Sequence, residues 1–479
     1  MTSQGPISRR GLLRAGAALA SVSLLSPMRT AWADTSGSPL RLRAAAGTAG
    51  LRSAPYGSTD IWGYDGIVPG PEIRVRQGDR IRVMAENGLD EETTIHWHGI
   101  RTPNAMDGVP HLTQAPIPVG GEFLYAFDAP DAGTFWYHPH QRSFEQVGRG
   151  LYGPLIVEEA NPIRVDRDLT WMLDDWRMTE DGQLADDFGS RHDAMHGGRI
   201  GNTVTINGKI PERIAVRSGE RLRLRLINAA NARIFGLDFG DLEPVIVAMD
   251  GQPVAPHAPR DGIVVIGPAM RLDLVLDLTG RPDAVETVTD VFYDGLEYRL
   301  VDLAYDPDML RASVPDWSMV LPPNPLAEPD VAAAARHRIV FNGGMMGQMM
   351  MGDAMGSMMG QMRQGNMWFI NGVAATGHIM DPLLTLPLGS SQIFEMDNRT
   401  AWPHPIHLHG HSFRVIARNG QPTRHREWQD TVLMAPEERV EIAFVADNPG
   451  DWMFHCHILE HQAAGMMGVI RVDSGTTKT

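Results

Sequence analysis

Hydrophobic and polar residues alternate with a period of two along most of this chain, in short runs closed by glycine and proline. Arg80-Ile81-Arg82-Val83 and Arg221-Leu222-Arg223-Leu224 are two such runs. Successive side chains of a strand point to opposite faces, so the pattern predicts half-buried β-strands, and stretches with a helical period are few. Many short strands set between turn residues predict an all-β chain built from antiparallel β-sandwiches of Greek-key type.

The alternation is itself repeated. Gly78-Asp79-Arg80-Ile81-Arg82-Val83, Gly219-Glu220-Arg221-Leu222-Arg223-Leu224 and Gly389-Ser390-Ser391-Gln392-Ile393-Phe394 align without gaps. Each glycine is followed nine residues later by an asparagine, at Asn87, Asn228 and Asn398. One domain is therefore present in three copies. The length of 479 residues agrees, because a single core rarely grows past about 250–300 residues. The expected domains are 34–160, 161–320 and 321–479. A stiff, non-helical connector, Pro322-Pro323-Asn324-Pro325, leads into the last of them.

Net charge and the amino terminus add a location. A formal charge of −16 and a pI near 5.5 argue against a nucleic acid or an anionic membrane as partner. Residues 1–33 carry Ser8-Arg9-Arg10-Gly11-Leu12-Leu13, a small-residue apolar run from Ala15 to Ser26, and Ala31-Trp32-Ala33. This resembles a twin-arginine export signal cleaved before Asp34. The apolar run is too short to span a bilayer. A periplasmic monomer without stable membrane insertion is the expectation.

The candidate chemistry sits in the first and third copies. Nine residues beyond the asparagines stand His96, Leu237 and His407, and two further on His98, Phe239 and His409. The middle copy reads as a spacer that kept the fold and lost a metal. A second shared pattern joins Gly133-Thr134-Phe135-Trp136-Tyr137-His138-Pro139-His140 to Gly450-Asp451-Trp452-Met453-Phe454-His455-Cys456-His457. On a strand, residues i and i+2 share a face, so each such histidine pair is a ready chelate, and the eight imidazoles suffice for three metals. Cys456, the single cysteine of the chain, must then point away from His455 and His457. With His404, His461 and Met466 it offers two imidazoles, a thiolate and a weak thioether. That set selects copper in an electron-transfer site, whereas zinc cannot change oxidation state.

These motifs resemble those of the multicopper oxidases. The resemblance implies three cupredoxin-like domains and four copper ions. His404, Cys456, His461 and axial Met466 would bind type 1 copper, His96 and His407 type 2 copper, and His98, His138, His140, His409, His455 and His457 the type 3 pair. It further implies four one-electron oxidations coupled to reduction of dioxygen to water, with Asp107 in Asn104-Ala105-Met106-Asp107-Gly108 delivering protons. The family often has an acid directly after the last type 1 histidine. Here that position is Gln462, and Glu460 lies nearby.

Between Met345 and Met367 stand ten methionines interleaved with glycine and glutamine, and Met351, Met355, Met358, Met359 and Met362 share a helical spacing. Thioether sulfurs bind Cu(I). The segment resembles the insert of the copper-tolerance branch, which oxidises Cu(I) to Cu(II), so cuprous ion is the expected donor. That branch carries an aspartate and a methionine where this chain has Thr400 and Trp402, so Met355, Met358 and Asp353 are the substituted candidates for a substrate copper. A laccase-like oxidase of phenolic or other small organic donors and a copper-sequestering protein are the competing expectations.

Overall fold

The computed structural model describes residues 30–32, 38–344, 366–375 and 381–475. The twin-arginine motif with its apolar run, and Met345 to Met362 with Asp353, lie outside the described residues. Strands dominate, and the helices among the described residues are short: Ser143–Gln146, Arg191–Met195 and Leu459–Ala463. None is long and apolar enough to cross a membrane.

The strands form six sheets that pair into three sandwiches. The first pairs a five-stranded sheet, which includes Gly133–His138 and His96–His98, with a four-stranded one around Arg80–Gly88. The second pairs a six-stranded sheet centred on Arg221–Asn228 with a five-stranded one. The third pairs a seven-stranded sheet around Ser391–Asn398 with a five-stranded sheet that carries Gly450–Cys456 and His404–Leu408. Each sandwich closes over its own apolar layer: Leu42, Val83 and Phe127 in the first, Leu224, Leu274 and Val288 in the second, Phe394, Ile442 and Phe444 in the third.

The three copies differ in how their polar faces are used. The alternation in Arg221–Asn228 reads as a half-buried strand, yet all eight of its residues are buried. Its arginine face lies against the first domain instead of water. Arg223 pairs with Glu159 and Asp273, each at 2.6 Å, and Arg225 pairs with Asp168 at 2.8 Å and donates to Thr134 at 2.9 Å. Burial of a guanidinium costs several kcal/mol unless it is paired, and here acids and a threonine on neighbouring elements supply the partners. The proline-flanked connector is clamped as well. The Asn324 side chain donates to Ala132 O and Gln252 Oε1, each at 2.8 Å, and accepts from Ala132 N at 2.9 Å. One side chain thereby stitches the connector to both preceding domains.

Candidate metal centre

Pairing of two strands in each outer domain brings the histidines together. His96 lies opposite His138 in one ladder, and His407 opposite His455 in the other. His404 and His407 are an odd number of residues apart on one strand, so they leave it on opposite faces, as Cys456 does from its flanking histidines. Two adjacent sites result.

At the first, Cys456 Sγ lies 3.4 Å from His404 Nδ1 and 3.8 Å from His461 Nδ1. Thr400 donates its hydroxyl proton to Asn398 Oδ1 at 2.8 Å, so it must accept from His404 Nε2, also at 2.8 Å. His461 Nε2 donates to the His196 carbonyl at 2.6 Å. Each ring thus carries its proton outward, and the two Nδ1 lone pairs face each other at 3.2 Å beside the sulfur. A cation between them satisfies that arrangement. Met466 is fully buried, its carbonyl accepting from Cys456 N and its N–H donating to His461 O. Burial pushes the Cys456 thiol up and the His404 and His461 imidazoles down, so proton binding does not compete at the rings.

The second site is a cage of eight histidines drawn from the first and third domains. His96 Nδ1 donates to Asp107 O at 2.7 Å, His407 Nδ1 to Asp430 O at 2.8 Å, and His455 Nδ1 to Cys456 O at 2.9 Å. The Asp107 carboxylate accepts from His409 Nδ1 at 3.0 Å, and Asp430 Oδ1 accepts from His98 Nε2 at 3.2 Å. With these tautomers, the inner nitrogens of His96, His98, His407, His409 and His455 are lone pairs. Nε2 of His96, His138, His140 and His407, Nδ1 of His98 and both nitrogens of His457 have no hydrogen-bond partner. His409 Nε2 and His455 Nε2 confront each other at 3.1 Å. A buried unpartnered polar atom costs about 1–3 kcal/mol, so this many converging lone pairs fits metal ions. Burial, reinforced by the neighbouring imidazoles, pushes His98, His138, His140, His409, His455 and His457 well below the ordinary histidine range.

Three residues of this frame have no signature in the sequence. Arg271 of the middle domain donates to both carboxylate oxygens of Asp430, and Asp250 accepts from the main-chain N–H groups of Arg271, Asp430 and Thr431. Burial alone would raise the Asp430 carboxyl, but the Arg271 guanidinium holds it well below the usual carboxylate range. Burial, and then the charge of Asp430, push Asp250 up.

The two positions beside His461 also separate. Glu460 turns to the middle domain and accepts from Arg199 N at 3.1 Å and Asn231 Nδ2 at 3.0 Å. Gln462 faces the cage, its amide 3.4 Å from His140 Nδ1.

Sequence models described as multicopper oxidase match residues 49–162, 167–284 and 353–476. The multicopper oxidase MmcO of Mycobacterium tuberculosis is 31% identical over 436 residues, which cover 84% of this chain and 81% of that protein. A crystal structure of a multi-copper oxidase from Pseudomonas thermotolerans superposes with a TM-score of 0.80 at 34% identity, covering 93% of this chain and all of that one. A laccase-like multi-copper oxidase, CueO, of Ochrobactrum sp., which has oxidase activity towards lignin model compounds, superposes with a TM-score of 0.77 at 26% identity, with 93% and 100% coverage.

Proposed function

The chain belongs to the multicopper oxidases, copper-dependent oxidoreductases with dioxygen as acceptor, and on that premise we propose that its electron donor is cuprous ion. One observation carries this reading. The methionine-rich segment is flanked by Gly344 and Met367, which are joined by a 3.0 Å main-chain hydrogen bond. The next residue, Trp368, lies over His461 with ring centroids 4.1 Å apart. The two ends of the methionine-rich segment thereby meet beside the site where electrons are taken in, and thioethers are Cu(I) ligands.

In this reading His404, Cys456, His461 and Met466 hold type 1 copper, and His96 and His407 hold type 2 copper. The type 3 pair falls to His98, His138 and His457 on one side and His140, His409 and His455 on the other, two triads whose ring centroids lie 4.9–5.7 Å apart. Copper, when bound, supplies the one-electron chemistry. The protein's part is to hold the ligand rings oriented, to exclude water by burial, and to keep a proton acceptor, Asp107, at His409 Nδ1. Export by the twin-arginine route to the periplasm fits a donor met outside the cytoplasm. Cleavage before Asp34 would remove the strand Thr30–Trp32, which pairs with Glu72–Arg76.

A second reading is a laccase-like oxidase of organic donors. A cleft of about 360 Å³ lined by Phe144, Met367, Glu460, Ala463 and Ala464 favours it. Oxygen uptake by the copper-loaded protein separates the two when Cu(I) under chelated, non-autoxidising conditions is compared with a phenol. Uptake driven by Cu(I) and abolished by deleting residues 345–362 is the expected result. Uptake with the phenol alone, unchanged or faster after the deletion, would establish the laccase-like reading instead.

A further inference from the structure

We propose that His192 and His196 of the middle domain form the docking site for the cuprous substrate, and that the His196 main chain passes its electron to His461. The inference rests on the cuprous reading above and names the site where that substrate waits.

His461 Nε2, the outward nitrogen of the ring, is already taken by the His196 carbonyl at 2.6 Å. No donor reaches that ring nitrogen directly. What stands outside it is His196 itself, half-exposed at the end of the short helix Arg191–Met195.

His196 is prepared for a metal. Its Nδ1 donates to His192 O at 2.7 Å, which fixes the proton on that nitrogen and leaves Nε2 with a lone pair. The exposed His192 lies four residues earlier, its ring stacked on that of His196 with centroids 4.2 Å apart and planes 28° from parallel. A turn of the exposed His192 ring about its side-chain bonds would bring one of its nitrogens beside His196 Nε2, and two imidazoles offered together suit a metal that accepts nitrogen ligands.

The surroundings hold this pair still and close off the alternative. Trp368 Nε1 donates to Ala194 O at 2.6 Å, while Arg177 forks onto Asp193 at 2.8 and 3.0 Å. Gly198, at φ +83°, sits so tightly that a Cβ there would meet Ala232 and Ile458 at 2.5 Å. Thr400 is engaged by His404 and Asn398, and the Trp402 ring turns its face or edge to His196 at 5.8 Å. The positions that hold an acid and a methionine in the copper-tolerance branch are therefore occupied otherwise, and the neighbouring domain offers nitrogen ligands in their place.

The balance is simple. Each cuprous ion gives up one electron and leaves as cupric ion, and dioxygen takes four such electrons with four protons to give two waters.

The test uses the full-length, copper-loaded protein with two variants, His192→Ala and His192→Ala/His196→Ala. The double variant keeps the His196 carbonyl, and the blue absorption reports that the Cys456 site is intact. The single variant changes only an exposed side chain and decides the matter if the double variant misfolds. One further equivalent of Cu(II), used as probe, should give the wild type an extra nitrogen-ligated electron paramagnetic resonance signal that both variants weaken or lose. The Cu(I) concentration for half-maximal oxygen uptake should rise on the order of tenfold. An unchanged half-saturating concentration, or an unchanged probe signal, overturns the histidine site and leaves the cuprous reading standing. Absence of Cu(I)-driven uptake in the wild type overturns both.

Discussion

Arg271 clamps Asp430 through two hydrogen bonds, Nη1 to Oδ1 at 2.8 Å and Nη2 to Oδ2 at 2.5 Å, with both side chains buried. Asp430 in turn orients His98, so the middle domain, which supplies no histidine of the cage, braces a histidine of the first domain against a residue of the third. Removing one partner of such a pair leaves an uncompensated buried charge. Arg271→Met should cost about 3–5 kcal/mol in urea unfolding of the copper-free protein and lower the copper content after loading. Unchanged stability and copper content would show that the brace is idle.

The same pair explains a glycine. Gly99 follows His98 at φ +87°, and a Cβ there would lie 2.1 Å from Arg271 Nη2 and 2.6 Å from Asp430 Oδ2. Gly78 shares that φ but has open space around it. Gly78→Ala should therefore lose only the backbone term, about 1–2 kcal/mol, and Gly99→Ala distinctly more. Equal losses on thermal unfolding would mean that the clamp yields freely.

Asp107 serves the cage twice, through its carbonyl to His96 and its carboxylate to His409. Asp107→Asn keeps the carbonyl and removes the charge. Turnover measured by oxygen uptake should fall roughly 10- to 100-fold with the blue absorption unchanged, and Asp107→Glu should restore part of it. Full activity in the asparagine variant would reduce Asp107 to a turn residue.

A pH dependence follows from Asp168. Burial pulls its carboxyl up, but the Arg225 guanidinium wins and lowers it to about 2. The folded value lies below the unfolded one, so the ionised form stabilises the fold. That contribution, about 2 kcal/mol, is complete above roughly pH 4 and is lost as the pH falls towards 2. The difference in unfolding free energy between wild type and Asp168→Asn, measured without copper, should shrink across that window. A difference independent of pH would place the ion pair's effect in packing alone.

The pattern of apolar positions and the spacing of histidines made the sandwiches and the histidine pairs that share a face legible, because both follow from the two-residue period of a strand. The tripled glycine and asparagine positions mark one central strand in each sandwich, Arg80–Gly88, Arg221–Asn228 and Ser391–Asn398. What stayed hidden depends on which faces meet after folding. Arg223 and Arg225 look like solvent-facing residues of an edge until Thr134 and Glu159 are packed against them. Arg271, Asp250 and Asp430 each sit in an unremarkable strand or turn, and the His196 carbonyl that meets His461 is a group every residue has. No local signal distinguishes them, since their partners come from other domains. The sequence also could not say where Glu460 and Gln462 point, because a short helix turns adjacent residues towards different domains.

The cage has a place in time as well as in space. Four of its eight histidines stand at or before His140 and the other four at or after His407, so a growing chain on the ribosome cannot assemble it until His457 has emerged. An interrupted polypeptide carries pairs of imidazoles but never a closed cluster. A full set of ligands thus certifies a chain carried through Met466, and one that stops before His407 has no means of starting dioxygen chemistry it could not complete.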